Sequence, residues 1–141
     1  RRVFDNIGLL DPIYFAFYEE IDFCRRAACQ GFGVGLVARC RIRHFRGASW
    51  EANPKIKRER DYRCDRSQFI FAITEPRRSM TANFGWYLLT LATKCKETLA
   101  SANPRRAWDL ARMQFGMLRQ SGELVSKWKR DRSLMQRGGT A

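Results

Sequence analysis

The 141-residue chain has a single histidine, no C-x-x-C pair and no charge-free run longer than fifteen residues. The first two absences remove the usual ligand spacing for zinc, iron–sulfur and covalent haem sites, so no metal or cofactor is expected. Five cysteines, Cys24, Cys29, Cys40, Cys64 and Cys95, are an odd number, which argues against a closed disulfide scaffold and for free, buried thiols. His44 stands in RIRHFR, where basic neighbours suit an exposed residue better than a general base. No nucleophile–base pair can be assembled from what remains, so the expectation is a protein without catalytic activity or catalytic residues. Internal repeats and low-complexity tracts are absent, and the length suits one domain.

Acidic residues are also scarce, with 14 Asp and Glu against 27 Lys and Arg, a formal charge of +13. Residues 1–26 carry a net −1, whereas 39–78 and 94–141 carry +7 each. Such a surface suits an anionic partner: RNA, an anionic lipid surface or an acidic protein. The chain begins Arg1-Arg2 without an initiator methionine, as expected of a processed organellar protein and equally of a trimmed chain.

Asp11-Pro12 has the form of a helix start, and Ile13, Phe17 and Ile21 follow at four-residue spacing. An amphipathic aromatic helix is expected there, with residues 1–23 as an interfacial N-terminal unit. Glu19, Glu20 and Asp22 read as its solvated face. Residues 39–66, rich in arginine and punctuated by Gly47 and Pro54, read as loop with one short helix at most. Gln68–Thr74, QFIFAIT, is strand-like by composition. Asn103-Pro104 caps a further helix in which Trp108, Ala111, Phe115 and Leu118 share a face. Ser121-Gly122 breaks it, a basic helix continues through Leu124, Val125 and Trp128, and the RGGTA tail is expected to be disordered.

Two uncharged runs remain: Ala27 to Ala38, twelve residues between Arg26 and Arg39, and Ser79 to Thr93, fifteen residues between Arg78 and Lys94. The first contains GFGVG. A dinucleotide fingerprint needs a strand before such glycines, and a P-loop needs a Lys-Ser/Thr at its end; neither is present. On a helix, Ala28, Gly31 and Gly35 would form one small-residue face, and Thr81, Gly85 and Ala92 another. The runs are short against the about 20 apolar residues of an ordinary membrane span, although flanking arginines can snorkel. The sequence therefore predicts an all-α chain with two short transmembrane helices packed as a hairpin. That hairpin occupies 24–98 with a basic connector at about 42–76, and 99–141 forms a basic amphipathic tail. A pair of core helices in a globular domain is the alternative, and charge leaves the hairpin's orientation open.

CRRAACQGFGVG followed by a basic R-x-R, and RRSMTANFGWYLLTLATKCKE, resemble the two halves of a known family. It is the twin-span mitochondrial inner-membrane assembly factor that chaperones subunit 2 of cytochrome c oxidase. The resemblance covers about residues 23–98. Cys24, Arg26, Gly31 and Gly35 match the first half, and Arg77, Arg78, Ser79, Gly85, Leu88, Leu91 and Cys95 the second. It implies an inner-membrane protein that binds membrane subunits of the respiratory chain, as an assembly factor or as an accessory subunit of cytochrome c oxidase or another complex.

On that reading Ala28, Gly31, Gly35, Thr81, Gly85 and Ala92 pack against partner helices. Arg25, Arg26, Arg77 and Arg78 lie among anionic headgroups such as cardiolipin. The alternative is a basic organellar ribosomal protein, with RIRHFR and KIKRERDYR on rRNA phosphates and Trp50, Tyr62, Trp108 and Trp128 stacking on bases.

Overall fold

A computed structural model describes residues 1–41, Arg43 and 53–138. Among these residues the regular structure is helical: α1 (Arg2–Ile7), α2 (Glu19–Cys29), α3 (Pro54–Ile73), α4 (Met80–Ala100), α5 (Pro104–Arg119) and α6 (Ser121–Gly138). The all-α class is thus observed. No helix among the described residues is long and apolar enough to cross a membrane.

The helix starts are written locally. Asn53 and Asn103 each accept a hydrogen bond from the backbone N–H two residues on, at 2.8 and 3.0 Å, and each precedes a proline that opens its helix. Ser79 caps α4 by accepting from the Ala82 N–H. The break at Ser121-Gly122 is real: α5 ends at Arg119 and α6 opens at Ser121.

Gly31 ends a helix instead of lining one. With Gln30 as C-cap, the Gly31 N–H bonds the Ala28 carbonyl and the Phe32 N–H bonds the Ala27 carbonyl, both at 3.1 Å. This is a Schellman stop, and the left-handed φ of +75° at Gly31 is the conformation that glycine adopts without a Cβ penalty. Residues 32–37 have no regular secondary structure. The first helix of the expected hairpin is therefore absent. Three glycines within five residues would have cost a helix about 1 kcal/mol each relative to alanine, and no neighbour packs on them to offset it.

Three other expectations are corrected. Residues 13–18 are not helical; Asp11 bonds the Ile13 N–H in a turn, and Phe17 and Tyr18 take φ of 67° and 69° before α2 begins. These bends are held against α3, where Arg66 donates to the Ile13 carbonyl, Ser67 donates to the Ala16 carbonyl, and the Tyr18 and Phe71 rings meet. QFIFAIT is helical through Ile73, because it extends α3 from a start at Pro54, and lengthening a formed helix costs far less than nucleating a new element. Much of the basic connector is α3 itself. Trp50, His44 and most of RIRHFR fall outside the described residues, as do residues 139–141 of the tail.

The apolar core joins the N-terminal segment to the helices that follow: Ile13 and Tyr14, Phe69 and Ile70 of α3, Met113 and Met117 of α5, and Leu124 of α6. The far end of α6 closes on α2. A Cβ on Gly138 would lie 2.5 Å from the Cys29 carbonyl oxygen, so only glycine permits that approach. The cysteines are unpaired as expected, but none is buried: Cys40 and Cys95 are exposed and the other three half-buried.

Candidate docking surface

The polar interior is built first by α2 and α6. Asp22, read from sequence as solvated, is fully buried. It accepts from the Arg25 guanidinium at 2.7 Å and the Arg26 Nε at 2.9 Å, and pairs with Lys127 Nζ at 2.9 Å. Lys127 also reaches Asp131 at 2.8 Å and Asp11 at 3.1 Å. Arg25 donates to the Phe71 carbonyl and to Thr74 Oγ1, with its guanidinium 4.1 Å over the Phe71 ring. Arg26 donates to the Ile7 and Leu9 carbonyls, which ties the end of α1 to α2. Arg25 and Arg26, expected at lipid headgroups, are thus buried structural charges, 8% and 4% exposed, with their guanidinium groups turned to oxygen atoms of the chain itself.

Of the three carboxylates on Lys127, the two fully buried ones, Asp22 and Asp131, differ. Burial pushes the Asp22 carboxyl up, but Lys127, Arg25 and Arg26 outweigh it and hold its pKa below the usual range. At Asp131 burial, with the Asp22 charge adding to it, wins over Lys127 at 2.8 Å and the more distant Arg25 at 3.9 Å, so its pKa is raised. Asp131 Oδ1 accepts no hydrogen bond, which fits that direction. Burial, then the nearby Asp22 charge, also raises the Tyr14 hydroxyl well above its ordinary value.

Apolar groups, by contrast, stand outside. In α4 only Asn83 is buried, anchored by its amide donating to the Glu75 carbonyl at 2.8 Å. Tyr87 and Leu91 pack on the core, and Tyr87 hydroxyl bonds Gln114 of α5. Phe84, Trp86, Leu88 and Leu89 are each about half exposed or more, from 48% at Leu88 to 57% at Leu89, and Leu99 reaches 80%. Thr81, Gly85 and Ala92 share the helix's outward face with Leu88 and Leu99, all exposed. A Cβ on Gly85 would touch nothing within 4 Å, so this small-residue strip is open.

On α5 the expected apolar face is also outward. Trp108, Phe115 and Leu118 are exposed, while the residues turned inward are Met113 and Met117. Ala28, Gly31 and Gly35 are exposed but lie where α2 ends and its following segment begins, so they form no helix face with one another. That segment carries three further exposed apolar residues, Val34, Leu36 and Val37. Arg77 is exposed, and Arg78 lies 4.8 Å over the Trp86 ring.

The structure therefore keeps one half of the expected packing set, on α4, and disperses the other. Sequence reasoning missed Asp22, Lys127 and Asp131; the i,i+4 spacing of Lys127 and Asp131 and the Asp22–Arg26 spacing were the visible signals. Among the described residues no group of three or more His, Cys, Asp or Glu side chains could hold a metal ion. No family model, curated protein or solved structure matches the chain.

Proposed function

We propose that this chain is a non-enzymatic protein of the mitochondrial inner membrane that binds membrane subunits. Its role is that of an assembly factor or accessory subunit of a respiratory complex, with cytochrome c oxidase the partner that the family resemblance names. The observation that carries the reading is α4: fifteen uncharged residues from Ser79 to Thr93, on a helix whose leucines and aromatics mostly face outward. Burying a leucine or phenylalanine side chain is worth about 1.5–3 kcal/mol, so four or five such residues on a partner supply ample driving force. Thr81, Gly85 and Ala92 admit close approach of a second helix. The mode of attachment is peripheral, through the α4 face; the paired spans of the sequence reading form no part of it.

Membrane extraction tests this. The protein should stay with membranes through high salt, leave them in alkaline carbonate, and co-purify with a respiratory complex after mild detergent. Absence from membranes at moderate salt contradicts the reading.

One observation favours a second reading. Trp108 is exposed on α5 close to the exposed Arg105 and Arg106, a combination that suits stacking on a base beside phosphates. Against it, Arg58, Arg60 and Arg63 of KIKRERDYR pair with Asp109, Asp61 and Glu59. Salt-sensitive sedimentation with ribosomes would move the assignment to rRNA binding.

A further inference from the structure

Helix α5 has two apolar sides. Met113 and Met117 are buried in the core, while Trp108, Phe115 and Leu118 stand on the other side, 68%, 64% and 70% exposed. With Ala111, also exposed, they recur at spacings of three and four residues and form one stripe along the outside of the helix.

A row of arginines borders that stripe. Arg105, Arg112 and Arg119 are exposed and follow one another at two-turn intervals, which places them on one line. Arg112 comes one turn after Trp108 and Arg119 one turn after Phe115, and the Arg119 guanidinium lies 5.9 Å from the centre of the Phe115 ring. Asp109, the sole acid of α5, is held by Arg58 through two hydrogen bonds of 2.6 Å. Glu123 of α6 lines a cavity with Arg112, and one carboxylate against three guanidiniums leaves the margin cationic.

An apolar stripe of Trp, Phe and Leu edged by arginines is the pattern of a helix that lies in the plane of a membrane interface. Its apolar side then sits about 5–10 Å deep, with the cations level with the phosphates. RNA would stack on the two rings but gains nothing from Leu118 or Ala111, whereas a lipid surface takes all four. On the side away from the arginines, Leu118 shares a cleft with Met80 and Phe84, so the apolar surface continues toward α4.

We propose that the outer face of α5 binds an anionic lipid surface, with Trp108, Phe115 and Leu118 below the phosphates and Arg105, Arg112 and Arg119 among them. This deepens the membrane reading by giving it a lipid partner beside the α4 docking face, and rests on that reading only for which membrane is met.

Flotation of the full chain with protein-free vesicles tests it, comparing phosphatidylcholine alone with phosphatidylcholine containing cardiolipin. Binding should require the anionic lipid and should be lost in high salt. Arg105→Gln, Arg112→Gln and Arg119→Gln should each lower the affinity about fivefold. Trp108→Ser with Phe115→Ser should lower it more than about tenfold without moving the melting transition, because both residues are exposed. Trp108→Phe should keep the binding and lose the blue shift of tryptophan emission that vesicles produce. Leu88→Glu with Leu89→Glu should leave vesicle binding unchanged while removing attachment to native membranes in high salt, so this proposal and the α4 reading fail separately. Absence of vesicle binding, equal binding to neutral vesicles, indifference to the arginine changes, or a blue shift retained by Trp108→Phe would overturn the proposal. So would binding of single-stranded RNA in place of vesicles, which would give the face to the rRNA reading.

Discussion

The α2–α6 contact and the outer faces of α4 and α5 invert the ordinary arrangement of a small protein. Between α2 and α6, Asp22, Arg25, Arg26, Lys127 and Asp131 are buried. On α4 and α5, Trp86, Leu89, Trp108 and Leu118 look outward. The difference is one of completeness. The buried charges find one another and the carbonyls of α1, α3 and the N-terminal segment, so they fix how those elements sit. Among the described residues the apolar side chains of these faces remain about half exposed or more, with Trp86 covered only in part by Arg78, and the proposed docking rests on that exposure.

Breaking the polar half should have the largest effect. Asp22→Asn leaves Arg25, Arg26 and Lys127 with one acid fewer in a dry interior. A loss of about 3–5 kcal/mol is expected by denaturant unfolding, the usual cost of removing one member of a buried pair. Phe69→Ala, at a fully buried core position, should cost a similar about 3–5 kcal/mol through the cavity it opens.

Asp131→Asn sharpens the comparison within the network, because its carboxylate is the less well satisfied of the two. Its cost should be smaller, about 1–3 kcal/mol, and should shrink as pH rises. The sign follows from the raised native pKa of Asp131: its stabilising contribution is full below its unfolded value and declines as pH climbs through the native one. For Asp22 the native pKa is lowered, so its contribution is present above the ordinary carboxylate value and disappears as pH falls through the native one. Acid unfolding of the parent should therefore begin below the ordinary aspartate range, and Asp22→Asn should flatten that limb.

Gly31→Ala tests the reading of the glycine run. At φ +75° an alanine pays about 1–2 kcal/mol, and stability should fall by that amount although a Cβ there meets no neighbour. A gain instead would mean that the helix continues through Gly31.

The start at Asn103-Pro104 and the break at Ser121-Gly122 are legible because they depend on neighbours one to three residues apart, whereas Asp11-Pro12 has a similar form and opens no helix. Asn53-Pro54 carries the same signature as Asn103-Pro104 and opens α3, although the arginines and Gly47 before it give the stretch the composition of a loop. Gln30-Gly31 likewise has the form of a helix stop, and the charge-free run that continues past it has the composition of a longer helix without the structure of one. Asp22 is legible as an i,i+4 partner of Arg26, but its burial is not. Its burial depends on Lys127, more than a hundred residues away, and no local pattern announces that meeting. The outward turn of Trp108, Phe115 and Leu118 was hidden in the same way: a periodic face says that residues lie together, and not which side of the helix the core occupies.

The smallest expected effect on folding belongs to Leu88→Glu with Leu89→Glu, and it offers the most direct test of the docking face. Both residues are exposed, so the melting transition should hardly move. The measurement is flotation of the parent and this double variant with mitochondrial inner membranes in high salt. The parent should float with the membranes and the folded double variant should remain below, its binding reduced by more than about tenfold. Equal flotation of the two, with both folded, would contradict the assignment of α4 as the docking surface.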